Sequence, residues 1–393
     1  VGAFVTPGGA LDLEARSRVV TIYLPDERVP LHPPALSEGA ASLLPDVDRQ
    51  ALVWTIRLDA EARPTDVRVE RALVRSRQRF TYAEVQALLD GGRADEPLQL
   101  LAEVGRLREQ AEIDRGGVSL PIPDQQVVEI DGKYHLEFRA PLAVEGWNAQ
   151  LSLLTGMCAA DLMLAGGVGV LRTLPPPPAE TVTTLRQRAA ALGVAWPDDA
   201  PYASMIRSLD PTKPAHAALL SQAARLFRGA GYLRFDGDPP AGDERLHAAV
   251  ASPYAHVTAP LRRLVDRFGN EVVLALCAGA EPPSWARESL AELPSLMDSG
   301  RHRENAADGM ALDLVEAAVL AGCIDDVLPA VVTTTGKGRA TVQILDPAVI
   351  ASVDDPDGAL VAGEEIRLRV KSADVATRKT TFTVAYPTDP HHP

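Results

Sequence analysis

The sequence predicts an α/β chain, in α+β arrangement, with helices around a mixed sheet, followed by a small all-β barrel of OB type. Two changes of rhythm predict it. Up to Asp326, stretches with apolar residues at three- and four-residue steps are interleaved with alternating runs such as Ala51 to Leu58 and Thr65 to Val74. From Val327 onward five short β-rich runs follow, VLPAVVTTT, ATVQIL, AVIASV, EEIRLRVKSAD and TTFTVA, divided by Gly and Asp turns. That is the count and spacing of a five-stranded barrel. The expected domains are residues 1–326 and 327–393, and a chain of 393 residues can bury a full core in each of two or three domains.

A net charge of −14 and a pI near 5.1 exclude a protein coated in positive charge, so any nucleic-acid contact is confined to a local basic groove. Cys158, Cys277 and Cys323 are far apart in apolar runs, without zinc spacing. They read as buried thiols in a reducing compartment, the cytoplasm. Leu151 to Leu171 is long enough to span a bilayer, but a carboxylate at its middle, Asp161, costs about 2.5 to 3.5 kcal/mol on insertion scales. It is expected to be a buried helix, and no membrane is expected as a partner.

The chain opens on Val1 and VGAFVTPGGALDLEARSR, which reads as the middle of a domain. Tyr23 to Arg49 is too rich in proline for regular structure and too long for a turn, which leaves a functional loop or a packed connector. Ala51–Leu58 and Thr65–Val74 form two antiparallel strands around a turn at 59–64. FTYAEV, from Phe80, opens a helix; Pro97 to Gln110 has helical spacing; Val127 to Phe138 is a hairpin turning at Asp131-Gly132. Pro175 to Pro178 is a stiff connector. Thr181 to Leu192 and Pro214 to Gly229 read as surface helices, and Tyr232 falls in a poorly periodic loop. After Arg301 an amphipathic helix buries Ala307, Ala311, Leu314, Val315 and Ala318.

Tyr254 to Phe268, YAHVTAPLRRLVDRF, is the most informative stretch. Thr258 suits an N-cap and Pro260 an early helical position, while Leu261, Leu264, Val265, Phe268, Val272 and Leu276 make an apolar stripe. Arg262 and Arg263 then fall in the first turn, beside backbone N–H groups without helical partners, a pocket for phosphate or another anion. Spacing alone leaves two solvated arginines on an ordinary helix as the plainer alternative.

The wording of this stretch is similar to the signature Y-x-H-x-T-x-P-[IL]-R-[RK], with aspartate three residues beyond, of the RNB domain of RNase II and RNase R. Tyr254, His256, Thr258, Pro260, Leu261, Arg262, Arg263 and Asp266 carry the match, and Leu264 stands where that family commonly has tyrosine. The proline loop resembles the family's Y-L-P-x-x-x-I-P-M-L-P-x-x-L-S-x-x-L-C-S-L-x-P-x-x-D-R, with His32 for a leucine and Ala41 for the cysteine. Phe4, Val5, Leu11, Asp12, Glu14, Ala15 and Arg18 fit the start of the domain, and the last five runs resemble its C-terminal RNA-binding barrel. The resemblance runs from about Val1 to Ala385. Ser152 and Leu153 stand where the family's long helix is acidic.

The resemblance implies a 3′→5′ exoribonuclease, a monomer that hydrolyses single-stranded RNA processively to nucleoside 5′-monophosphates. It implies that Arg262 contacts the scissile phosphate and that Tyr23 stacks on a base near the exit of the channel, since a π face holds any base. Tyr82 falls near the terminal base, with a core tyrosine as its alternative, and Phe138 matches a stacking phenylalanine. His256, Thr258 and Arg263 complete the substrate-binding set. Phe382 is the one clear aromatic candidate on the barrel. Mg²⁺ is the implied cofactor and no organic one is; its ligands, a D-x-D-D cluster, are expected ahead of Val1, and the sequence itself offers no metal ligands. A non-catalytic RNA-binding adaptor on the same scaffold is the alternative.

Overall fold

The computed structural model describes residues 1–119, 124–130, 133–139, 141–227, 229–344 and 346–385. The turn expected at Asp131-Gly132 lies outside them. The chain divides into two compact units, one of Val1–Val118, Pro141–Pro176 and Gly229–Asn305, the other of Ser119–Ala140, Pro177–Arg228 and Ala306–Pro393.

The first unit is built on two packed helices, Ala143–Gly166 and Leu264–Cys277. Leu154, Met157, Ala159, Ala160 and Met163 of the first are buried, as an apolar core helix requires. It stops at Gly166, short of the Leu171 expected. Gly167 takes φ 67°, and a Cβ there would meet the Gly237 carbonyl oxygen at 2.9 Å, so glycine is needed to turn the chain. Val168–Thr173 then pairs antiparallel with Gly231–Asp236, and Tyr232, expected in a loop, lies on that strand directly opposite Arg172.

The second core helix departs from the single stripe expected of it. Leu264, Val265, Phe268, Val272 and Val273 are buried, but so are Asp266, Arg267, Asn270 and Glu271. Burial of these groups is tolerable because each has a partner. Arg267 ion-pairs with Asp12, donates to the Val5 carbonyl at 2.8 Å and lies over the Trp285 ring at 4.9 Å. Asn270 donates to the Val257 carbonyl at 2.7 Å, and Glu271 accepts from Arg71 at 2.6 Å. Asp12 belongs to the helix Ala10–Arg18, so the buried pair ties the start of the chain to the core helix. Removing one partner of such a pair costs about 3–5 kcal/mol.

The expected hairpin is present as Asp48–Leu58 and Pro64–Arg75, with Trp54 opposite Val69. The β structure of this unit consists of antiparallel two-stranded ladders, and parallel pairing is confined to bridges at Pro45–Ser76 and Leu174–His247. The proline loop is more regular than its composition predicts. Ile22–Tyr23 pairs with Arg28–Val29, and Ala35–Ala40 forms a π-helical turn. Pro33 and Pro34 precede that turn, where a missing N–H breaks no helical bond. Leu31 is fully buried and donates its N–H to Thr21 Oγ1 at 2.9 Å.

In the second unit, Val327–Gly336, Arg339–Ile344, Val349–Asp354, Glu365–Asp374 and Lys379–Val384 form the antiparallel barrel. The third strand lies at one edge, beside the second, the first, the fourth and then the fifth, and the two edge strands approach each other. Phe382 is buried among Val332, Val342, Leu368 and Val370, so the only aromatic between 327 and 385 is core and not a stacking platform. The helix Pro214–Ala223 is not a surface helix. Ala218, Leu219, Leu220 and Ala223 are buried, it packs on the strand Val327–Gly336, and Gln222 donates to the Thr333 carbonyl at 3.2 Å. The long helix Leu293–Leu320 begins earlier than expected and buries Val315, Ala317 and Leu320, with Leu314 and Ala318 exposed. Its alanine-rich text carries small residues on several faces and leaves the helical phase open. Cys158 is buried, its thiol pushed up to about 11 by burial, while Cys277 and Cys323 are half-buried.

Three histidines of the first unit are enclosed. Burial lowers His32 and His247 to about 4 and holds His256 well below its ordinary value. As pH falls below about 6.5 the unfolded chain takes up protons that the folded chain refuses, so stability present above that pH is lost toward pH 4. Urea titrations at descending pH are expected to show a loss of up to about 1.4 kcal/mol per pH unit for each histidine. A flat profile between about pH 6.5 and 4.5 would contradict the burial.

Candidate functional site

Arg262 and Arg263 lie in a turn ahead of the helix and not within its first coil. The helix begins at Leu264, and Arg263 occupies the N-cap position with φ −133° and ψ 127°. Helical continuation loses to pairing with the segment after the helix Ala10–Arg18. Leu264 N–H donates to the Val19 carbonyl at 2.9 Å, Thr21 N–H donates to the Arg262 carbonyl at 3.0 Å, and Val20 bridges Arg263. Arg263 N–H donates to the Ala259 carbonyl at 3.0 Å. Two N–H groups expected to be open to an anion are therefore occupied.

Asp266, not Thr258, holds the turn. Its Oδ1 accepts from Ala259 N–H at 2.6 Å, and the carboxylate takes the Arg263 guanidinium through two bonds of 2.9 Å. The carboxylate in turn raises the Arg263 pKa. Arg262 is left exposed, with no side-chain hydrogen bond or ion pair among the described residues. It is the guanidinium of the pair that is free to meet an anion.

Arg262 lines two cavities. The larger, of ≈ 1030 Å³, is walled by the proline loop through Tyr23, Arg28 and Leu43, by the hairpin through Leu52, Arg71 and Leu73, and by Thr258 to Arg262. Tyr23, Leu43 and Leu73 are exposed apolar surfaces, while Arg71 and Arg262 supply positive charge. An apolar wall with cationic points suits a strand whose bases stack and whose phosphates carry charge. The smaller cavity, of ≈ 200 Å³, is lined by Arg172, Tyr232, His256, Arg262, Arg263 and Arg301 among others.

Of the residues singled out from sequence, Tyr23, Thr258 and Arg262 come together at the larger cleft, and His256 and Arg263 at the smaller cavity. Thr258 shares a 3.0 Å hydrogen bond with Ser152. His256 shares one of 2.8 Å with the Tyr232 hydroxyl, which burial pushes up to about 12. Tyr82 is half-exposed, accepts from Asn148 at 3.0 Å and does not line the cleft. Phe138 belongs to the second unit, where its ring packs on the barrel cluster. The sequence gives no local signal for Arg71 and Arg301, and for Arg172 only a partial likeness of VLRTLPPPP to the family's R-x-H-x-x-P; strand register and tertiary packing bring the three to these cavities. Asp266 was visible as part of a motif, and its three-residue spacing from Arg263 was the sign of its role.

Among the described residues, no group of three or more His, Cys, Asp or Glu side chains is placed to hold a metal ion. The carboxylates that line the larger cleft or hold its turn are already engaged: Asp266 with Arg263, Glu271 with Arg71, and Glu38 with Arg28 at 2.8 Å. These residues do not form a Mg²⁺ site.

Residues 1–276 match the RNB domain and residues 326–385 match the RNase II-type exonuclease C-terminal S1 domain. The chain is 28% identical over 338 residues to the exosome complex exonuclease RRP44 homolog A of Arabidopsis thaliana, covering 81% of this chain and 35% of that protein. It is 26% identical over 300 residues to ribonuclease R of Escherichia coli, covering 71% and 35%. The chain thus spans about a third of the length of each of these two relatives. Its fold matches the apo form of Mycoplasma genitalium RNase R with a TM-score of 0.84 at 18% identity, over 98% of this chain and 65% of that one. It also matches yeast Ssd1, a pseudonuclease, with a TM-score of 0.69 at 15% identity, over 96% and 47%. The arginine turn, the proline loop and the terminal barrel thus have one common explanation: the chain belongs to the RNB domain family and carries an RNase II-type S1 domain at its C-terminal end.

Proposed function

We propose that this chain guides single-stranded RNA into the larger cleft and that Arg262 clamps the phosphate at which a 3′→5′ exoribonuclease cuts, releasing nucleoside 5′-monophosphates processively. The observation that carries this is the free Arg262 guanidinium, on a turn that a buried carboxylate holds, lining a cleft with an exposed tyrosine at its wall. One relative is named an exosome complex exonuclease and another ribonuclease R, which supports the reading. Fixed cationic donors are how proteins stabilise charge that develops on a phosphoryl group. Mg²⁺ is the proposed cofactor, working in the cytoplasm, and the described residues hold no group of three or more His, Cys, Asp or Glu placed to bind it. The second reading is an RNA-binding protein on the same scaffold that does not cut. Likeness to a pseudonuclease shows that the fold also occurs without nuclease activity.

A labelled single strand incubated with this chain and Mg²⁺, with EDTA as control, tests the cleft. Binding with the RNA left intact is expected of the 393 residues alone. Shortening that Mg²⁺ accelerates would place a metal site where the described residues show none. A longer protein that joins this chain to a carboxylate cluster holding Mg²⁺ is expected to shorten RNA from its 3′ end, and RNA bound but uncut by it would establish the adaptor reading.

Arg262→Lys separates clamping from attraction, because lysine keeps the charge and loses the planar fork. In the cutting protein, turnover is expected to fall by roughly a hundredfold, about 2.7 kcal/mol, with RNA affinity nearly unchanged. Single-turnover cleavage beside filter binding at one salt concentration gives both numbers. Near-normal turnover in the lysine variant would reduce Arg262 to a side chain that merely tracks phosphate.

A further inference from the structure

The smaller cavity holds more positive charge than the strand reading uses. Arg172, Arg262, Arg263 and Arg301 line it, and Glu304 is the one acidic side chain that does. Asp266 neutralises Arg263, and Asp298 pairs with Arg301 at 2.6 Å. Arg172 and Arg262 have no ion pair among the described residues. Arg172 is half-buried, its guanidinium 4.8 Å above the Tyr232 ring and its nearest polar contact the Gly231 carbonyl at 3.4 Å. Burial, together with the like charges of Arg301 and Arg263, lowers its pKa.

A partly desolvated cation among other cations is unfavourable by itself, and an anion in the cavity turns the same repulsion into attraction. At ≈ 200 Å³ the space suits a phosphate group better than a stacked strand. A phosphodiester bears one charge and is substituted on two sides. A phosphomonoester bears about −1.5 to −2 at pH 7 and offers three free oxygens to converging guanidinium forks.

We propose that this cavity is a phosphate-dianion site distinct from the strand cleft, taking a phosphomonoester or free phosphate, with Arg172 its half-buried cation and Arg262 the wall shared with the cleft. Placing a nucleoside 5′-monophosphate there as retained product rests on the reading of the larger cleft as the strand's path. The dianion site itself does not.

Isothermal titration of the chain with inorganic phosphate, AMP and adenosine at constant ionic strength tests it. Phosphate and AMP are expected to bind and adenosine to fail; tighter AMP points to a nucleotide as occupant, and equal affinities to free phosphate. Arg172→Gln is expected to weaken phosphate binding about tenfold or more and to leave a short RNA strand within about twofold. Glu304→Gln is expected to tighten phosphate binding, which keeps the idea testable if the arginine variant does not fold. No phosphate binding up to about 10 mM, or an unchanged Arg172→Gln, would overturn the site. So would equal weakening of phosphate and RNA, which would make the cavity part of the strand cleft. Phosphate binding without any RNA binding would leave this site standing and remove the proposed function.

Discussion

The Asp266 carboxylate, fully enclosed, is the group on which the site depends. A buried carboxylate is costly unless its oxygens are satisfied, and here the Ala259 amide and both arms of the Arg263 fork satisfy them. That set of bonds fixes a tight turn from Ala259 to Arg262 and leaves Arg263 extended, where a continuous helix would not allow it. The turn is held from its other side by Val19, a β-branched residue at φ 69° whose carbonyl accepts from Leu264. Such backbone costs about 1–3 kcal/mol and persists only where the surroundings determine it. The adjacent arginines thereby divide their roles. Arg263 is spent inside the protein, and Arg262 is free at the surface.

That division lets one guanidinium stand between two cavities of different character. The larger has apolar walls, suited to stacked bases, and the smaller gathers arginines around a buried phenol and a neutral imidazole. His256, with its pKa held far below the ordinary value, adds no charge and serves as a rigid neighbour to Tyr232. A net acidic chain can thus hold a concentrated positive site, because register and packing bring its arginines together.

Legibility in the sequence followed the range of the interactions. The five barrel strands and the long hairpin were readable because alternation and turn residues are local signals. The arginine turn was readable as a motif but not as a conformation, since Val19 and Thr21, which pull it out of the helix, lie more than two hundred residues away in the chain. The helix Pro214–Ala223 looked like surface because its apolar residues, mostly alanine, are unpatterned, and only the strand packed on it shows that it is core. Phe382 was misplaced for a related reason: a lone aromatic in an alternating strand points to core or to solvent according to register, and register with Val370 turns it inward. The pairing of Arg172 with Tyr232 needed two strands that sequence could not join.

The central claim is that Asp266 acts on RNA through Arg262. A double-mutant cycle on RNA affinity, with Arg262→Ala, Asp266→Asn and both, measures it while urea titrations confirm that each variant is folded. Asp266→Asn is expected to weaken RNA binding when Arg262 is present and to cost about 1 kcal/mol less when it is absent. Costs that simply add would show that the buried carboxylate holds the fold without aiming the arginine, and would contradict the account.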